Sequence, residues 1–215
     1  MKFFETSKYY YLNKSTYVNL RWIAYLGQLS AVVIVQFILN FKFNYVTCLF
    51  IIFFGFFTNI YLQFQIKKNK LNTLISTIFL SYDILQLSFL LFLTGGITNP
   101  FIFLIIIPSV FSSQHLDILS SIILVLFTVL NLLLLTFYFY DLPHPNMLHF
   151  HTPDYYLYGI TISIFIGLVF LVYFGVKFGI ESTIRKKAYD KIQEIMAKEN
   201  ELLSLGVKLQ LQHIH

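Results

Sequence analysis

Asp83 and the run Gly95-Gly96-Ile97-Thr98-Asn99-Pro100-Phe101 are the residues of this chain whose types and surroundings point to chemistry. Asp83 is an acid inside an apolar segment, and residues 84–116 after it hold no Asp, Glu, Lys or Arg. A carboxyl in hydrocarbon is costly. It marks a proton or ligand site, or else a polar contact between helices in which desolvation keeps it protonated. Gln86 lies three residues on, so both side chains leave one helical face, and Leu90 and Thr94 continue that face toward Gly95.

The Gly95–Phe101 run has its own physics. Two adjacent glycines, an Asn and a Pro stop any helix that enters them, and lipid offers the freed backbone groups no partners. The glycines permit positive φ and close approach to a flat ring. Asn99 brings an amide donor and acceptor, Pro100 starts the next helix without losing a hydrogen bond, and Phe101 supplies an aromatic wall. Such a set suits a carbonyl-bearing ring that arrives from lipid, such as a quinone. The plainer reading is a tight turn between two spans.

Other candidates are weaker. His144, His149 and His151 lie near Asp141 and Asp154, but loop histidines beside prolines are usually solvated, so no metal is expected. Cys48, the single cysteine, sits in an apolar run and reads as a small buried residue. Leu20-Arg21-Trp22 reads as anchoring at the inner membrane interface. There is no Walker motif, no nucleotide-binding Gly-rich loop and no nucleophile–base pair.

The elements that must position these residues are membrane helices. The chain is 57% apolar and only 12% charged, about half the ~25% of soluble domains. Arg21 and Lys42 bound 20 uncharged residues, about 30 Å of helix. Further runs follow at 43–66, 71–94, 100–114, 118–140 and 155–177, predicting an all-α protein with six transmembrane helices. The fourth is short, about 21 Å for some 14 residues. With the N-terminus inside, 14 of the 15 Lys and Arg residues fall on the inner side, Lys42 alone outside. The positive-inside rule therefore places both termini in the cytoplasm and Gly95–Phe101 at the outer face of the membrane. The net charge of +5 then reports orientation and contact with the lipid bilayer, not nucleic-acid binding. The expected organisation is a tail over 1–18, a sensor domain over 19–178, a cytoplasmic helix over 179–206 and an atypical tail over 207–215. In the helix, Arg185, Ala188, Ile192, Ile195, Glu199, Leu202 and Leu209 follow a 3,4 spacing. That predicts a weak coiled-coil seam for a homodimer, or a single amphipathic helix on the inner leaflet.

These residues resemble the membrane sensor region of RegB-type (PrrB or ActS) redox sensor histidine kinases. The matching elements are Leu20-Arg21-Trp22, Asp83 with Gln86-Leu87, Leu93 through Phe101, and Glu201-Leu202-Leu203-Ser204-Leu205-Gly206; the resemblance covers about residues 17–206. It implies six spans, a dimer that autophosphorylates a His in trans, and phosphoryl transfer to a response regulator. It also implies a ubiquinone site at Gly95, Gly96, Asn99, Pro100 and Phe101, with Asp83, Gln86 and Thr94 as accessory positions. After Gly206 the chain departs from the family: Val207 through His215 lacks the small-residue run and the His-Glu or His-Gln pair, so His213 and His215 are poor phospho-acceptors. The ATP-binding domain and the family's redox cysteine do not follow. The departure implies a chain inactive alone, read either as a truncated or frameshifted gene or as a natural sensor-only protein. A small transporter with Asp83 in its pathway is the alternative from another class.

Overall fold

The computed structural model describes residues 11–66, 69–143 and 153–212. These residues are almost wholly helical: α1 (Lys14–Val33, continued as a π-helical turn Ile34–Ile38), α2 (Tyr45–Gln65), α3 (Thr73–Leu93), α4 (Ile107–His115), α5 (Ile118–Phe137) and α6 (Asp154–Gln212). Gly96–Thr98 and Ile102–Ile106 form 3₁₀ turns between α3 and α4. Five of these helices are long and apolar enough to cross a membrane; the sixth apolar helix, Ile102–His115, is shorter. Its 3₁₀ start rises faster per residue than an α-helix, giving it about 24 Å against the ~30 Å of a hydrocarbon core.

Local signals set the helix ends. Asn13, Asn44 and Asp117 are N-caps, their side-chain oxygens accepting from the backbone N–H of Ser15 (3.1 Å), Thr47 (3.3 Å) and Ser120 (3.4 Å). Lys14 closes the far end of α2 by donating to the carbonyls of Gln63 (3.1 Å) and Ile66 (2.7 Å). Beside it a two-residue antiparallel ladder pairs Leu12 with Leu71 and Asn13 with Lys70, so the chain before α1 is pinned to the chain before α3.

The helices fall into two groups. α1 packs chiefly on α2; α3 packs on α5, and α4 lies between α5 and α6 with its largest contact on α6. That last contact is close because α6 presents glycines four residues apart: a Cβ at Gly175 would overlap Ser113, and one at Gly179 would lie 2.9 Å from the Gln114 carbonyl. The main core cluster runs through both groups, with Tyr17 and Val18 of α1, Leu62 of α2, Leu80, Ile84 and Leu91 of α3, Ile105, Leu124, Leu132 and Leu168.

One expectation changes at this level. The first helix begins at Lys14, before residue 19, and it encloses Arg21 instead of starting after it. α6 runs unbroken for 59 residues, about 88 Å, a single helix through the expected sixth span and the cytoplasmic segment after it. Along it Arg185, Ala188, Ile192, Ile195, Glu199 and Leu202 are all exposed in the single chain. His144, His149, His151, His213 and His215 lie outside the described residues; among the described ones, no group of three His, Cys, Asp or Glu side chains is placed to hold a metal.

Candidate functional site

Asp83 is ion-paired. Arg21 reaches it from α1, Nε and Nη2 each 2.9 Å from Oδ1. The Tyr17 hydroxyl donates to Oδ2, and that of Tyr25 to Oδ1 at 3.2 Å. Arg21 Nη2 donates onward to Tyr25 Oη (2.7 Å) and Thr58 Oγ1 (2.9 Å), the latter on α2. Four rings surround the guanidinium carbon at 5.3–5.7 Å: Tyr17, Tyr25, Phe79 and Tyr82. A cation seated among ring faces recovers part of the solvation it loses in hydrocarbon. Arg21 Nη1 and the Tyr82 hydroxyl are buried with no hydrogen-bond partner among the described residues.

This corrects the reading of Arg21 as an interface anchor: its side chain is 3% exposed. A cation at the start of an apolar run ordinarily reaches back to water, whereas here the ring cage and Asp83 hold it inside. The signal that would have found the pair is the spacing Tyr17, Arg21, Tyr25, Gln28, which sets four polar side chains on one face of α1. Gln28 completes the match: Gln86 Nε2 donates to its Oε1 at 2.8 Å. Asp83 and Gln86 thus share a face as the spacing predicts, and that face meets α1. The backbones of α1 and α3 scarcely approach each other, so these long side chains make the contact.

The Gly95–Phe101 segment is a closed turn about 11 residues, or ~16 Å, further along α3. Gly95 and Gly96 have φ of +114° and +52°, the left-handed region that glycine alone enters freely. Asn99 holds the turn shut. Its Nδ2 donates to the Thr94 carbonyl and to Thr94 Oγ1, both at 2.8 Å, while its Oδ1 accepts from Phe101 N at 2.8 Å. Thr98 Oγ1 donates to the Gly95 carbonyl at 2.7 Å. The faces of the two glycines are covered by the chain that leaves α5: Phe139 lies on Gly96, and the Leu142 side chain on Gly95. Tyr140 N donates to the Phe92 carbonyl at 2.9 Å and its ring meets Phe92 edge-on at 5.2 Å, which seats that chain over the turn.

The expected contact residues are therefore brought together but differ in access. Gly95, Gly96, Thr94 and Asn99 are buried, whereas Pro100 is exposed and Phe101 is 47% exposed beside the exposed Phe103 and Ile107. Asp83 and Gln86 belong to the separate α1–α3 cluster. The covering residues Phe139 and Leu142 were missed, because nothing in their own types sets them apart from any apolar chain end.

An ion-paired membrane helix bundle that carries this turn matches one curated protein, sensor histidine kinase RegB of Cereibacter sphaeroides, at 32% identity over 193 residues. The chain resembles the N-terminal region of RegB. The match takes in 89% of this chain and 42% of the relative, so the chain spans less than half the length of the protein it resembles. The similarity supports a membrane region of the two-component sensor-kinase kind. No protein-family model matches the chain, and no solved structure does.

Proposed function

We propose that this region senses respiratory quinone for a sensor histidine kinase, with ubiquinone bound against the Gly95–Phe101 turn. The observation that carries the reading is the turn itself: two left-handed glycines whose open faces are filled by Leu142 and Phe139, next to an exposed aromatic edge at Phe101. A flat ring entering from lipid stacks on Phe101 and takes the place of Leu142 over Gly95. The Asn99 amide, already used to close the turn, positions that surface more than it reads the ring. In this reading the turn faces the periplasm of a bacterial inner membrane and both termini are cytoplasmic. Two copies pair along α6, and in the whole kinase the pair phosphorylates a His in trans and then a response regulator.

The reading is tested with the full chain in nanodiscs, titrated with a short-chain ubiquinone and followed by quenching of protein fluorescence. Phe101→Ala should weaken binding by roughly tenfold, the worth of one aromatic stacking contact. Leu142→Ala, which opens the face of Gly95, should tighten it. Equal affinity in all three proteins would remove quinone from the turn. A transport role for Asp83 loses its main support, since the carboxylate is held by Arg21, Tyr17 and Tyr25 instead of standing free in a path.

A further inference from the structure

A second polar site lies at the opposite end of the bundle, where α1, α3 and α5 begin. A cavity of ≈ 50 Å³ opens between the end of α4 and the middle of α6, lined by Tyr11, Gln114, His115, Ser182, Thr183 and Lys186 around Phe178 and Gly179. A single water needs roughly 10–15 Å³ of such space, so the cavity admits several waters or one tetrahedral anion. Its lining is rich in hydrogen-bond donors: three hydroxyls, an amide, an ammonium and an imidazole whose Nδ1 lies 3.0 Å from the Phe111 carbonyl.

Two ammonium groups lie against the Tyr11 ring, and one of them, Lys186, lines the cavity. Lys70 Nζ lies 4.2 Å and Lys186 Nζ 5.4 Å from the centroid of the same Tyr11 ring. Among the described residues neither has a carboxylate at ion-pair distance, and Glu181, one turn before Lys186, is paired with Arg185. Two like charges brought to one ring, with no carboxylate paired to either among the described residues, favour an anion from outside. The level is that of lipid headgroups: the apolar run of α6 ends at Lys177, just before the cavity, and α4 ends at His115 inside it.

We propose that this cavity binds the phosphate of an anionic phospholipid headgroup, held by Lys186 and by the hydroxyls of Ser182 and Thr183, with Lys70 at the Tyr11 ring adding positive charge beside it. Basic pockets between membrane helices are a recognised setting for such headgroups. The bound phosphate joins the end of α4 to α6 at the point where α6 leaves the bilayer. Free phosphate would meet the same donors, but the membrane presents its anions at this depth at high local concentration.

The test uses the full chain in phosphatidylcholine vesicles carrying a trace of spin-labelled phosphatidylglycerol or spin-labelled phosphatidylcholine. The motionally restricted fraction should favour phosphatidylglycerol. Lys186→Gln should lower that preference about fivefold, the worth of one lysine near the surface, and Lys186→Arg should restore it. Lys191→Gln, an exposed lysine further along α6, should leave it unchanged. Absence of headgroup preference in the parent protein, or equal loss in Lys191→Gln, would overturn the site in favour of diffuse surface charge. Inorganic phosphate that binds the detergent-solubilised protein with no lipid preference in vesicles would overturn the lipid assignment. Thr183→Val, which keeps shape and all charges, provides a variant whose loss of preference reports the cavity and not the net charge.

Discussion

Removing Asp83 should strip stability from the bundle to a degree that its geometry predicts. Asp83→Ala deletes the carboxylate that accepts from Arg21, Tyr17 and Tyr25, and leaves the guanidinium buried among four rings. Breaking a buried pair by removing one partner costs about 3–5 kcal/mol, because the other charge stays desolvated and uncompensated. The hydrogen bonds to Thr58 and Tyr25 and the ring cage remain, so the lower half of that range is expected. Removing both charges with apolar residues of similar volume, Arg21→Met with Asp83→Leu, should return stability to within about 1 kcal/mol of the parent. The assay is equilibrium unfolding in mixed micelles of increasing SDS content, followed by far-ultraviolet circular dichroism and by the single tryptophan, Trp22, one residue from Arg21. A cost under about 1 kcal/mol for Asp83→Ala, or a double variant less stable than the single one, would refute a buried pair at this position.

Gly96→Ala should destabilise by about 1–3 kcal/mol, since it combines a φ of +52° with a Cβ driven into Phe139. Gly27→Ala, in a helix interior with nothing near its Cβ, should be neutral or stabilising in the same unfolding assay. Gly179→Leu should part α4 from α6 without disturbing the α1–α3 cluster; cysteine crosslinking of the two pairs of helices would show loss of the first contact alone. Winding the 3₁₀ turn Ile102–Ile106 into α-helix would shorten it by about 2.5 Å. Spin labels at the exposed positions Phe103 and Leu130 should therefore shift by up to about that distance when ubiquinone saturates the protein. An unchanged distance distribution would refute a signal route through this segment.

How much of this was legible in the sequence depended on whether the signal was local. Helix positions followed from apolar runs, and the break at Gly95–Phe101 followed from residue types that cannot continue a helix. Its internal wiring was half legible: an Asn before a Pro announces an Asx turn, but that Asn99 also reaches back to Thr94 depends on the left-handed glycines between them. The partner of Asp83 was hidden for a different reason. Arg21 stands near the start of an apolar run, where a cation ordinarily snorkels to water, and only the alignment of α1 with α3 turns it inward. Likewise nothing in Leu142 or Phe139 announces that they lie over two glycines from 40 or more residues away.

The division of the bundle constrains how a ligand at the turn could act. α1 and α2 are fixed to α3 by the Arg21–Asp83 cluster, by the Gln28–Gln86 pair and by the ladder at residues 12–13 and 70–71. Moving α3 as a body would mean breaking buried polar contacts that have nowhere else to go in lipid. The part beyond the turn is less restrained. Ile102–Ile106 is 3₁₀, with poorer hydrogen-bond geometry than α-helix, and it leads directly into α4. α4 in turn rests on Gly175 and Gly179 of α6, a close contact in which only the small Ser113 side chain enters the Gly175 notch and Gly179 meets backbone alone. A ring that displaces Leu142 therefore acts against a rigid α3 on one side and a deformable start of α4 on the other, and the softer side yields. The same contact carries the phosphate cavity at its far end, so lipid and quinone would bias one joint, the α4–α6 contact, from opposite faces of the membrane. Such a bias exists only to the extent that each ligand prefers one position of that joint, which makes their effects on each other reciprocal.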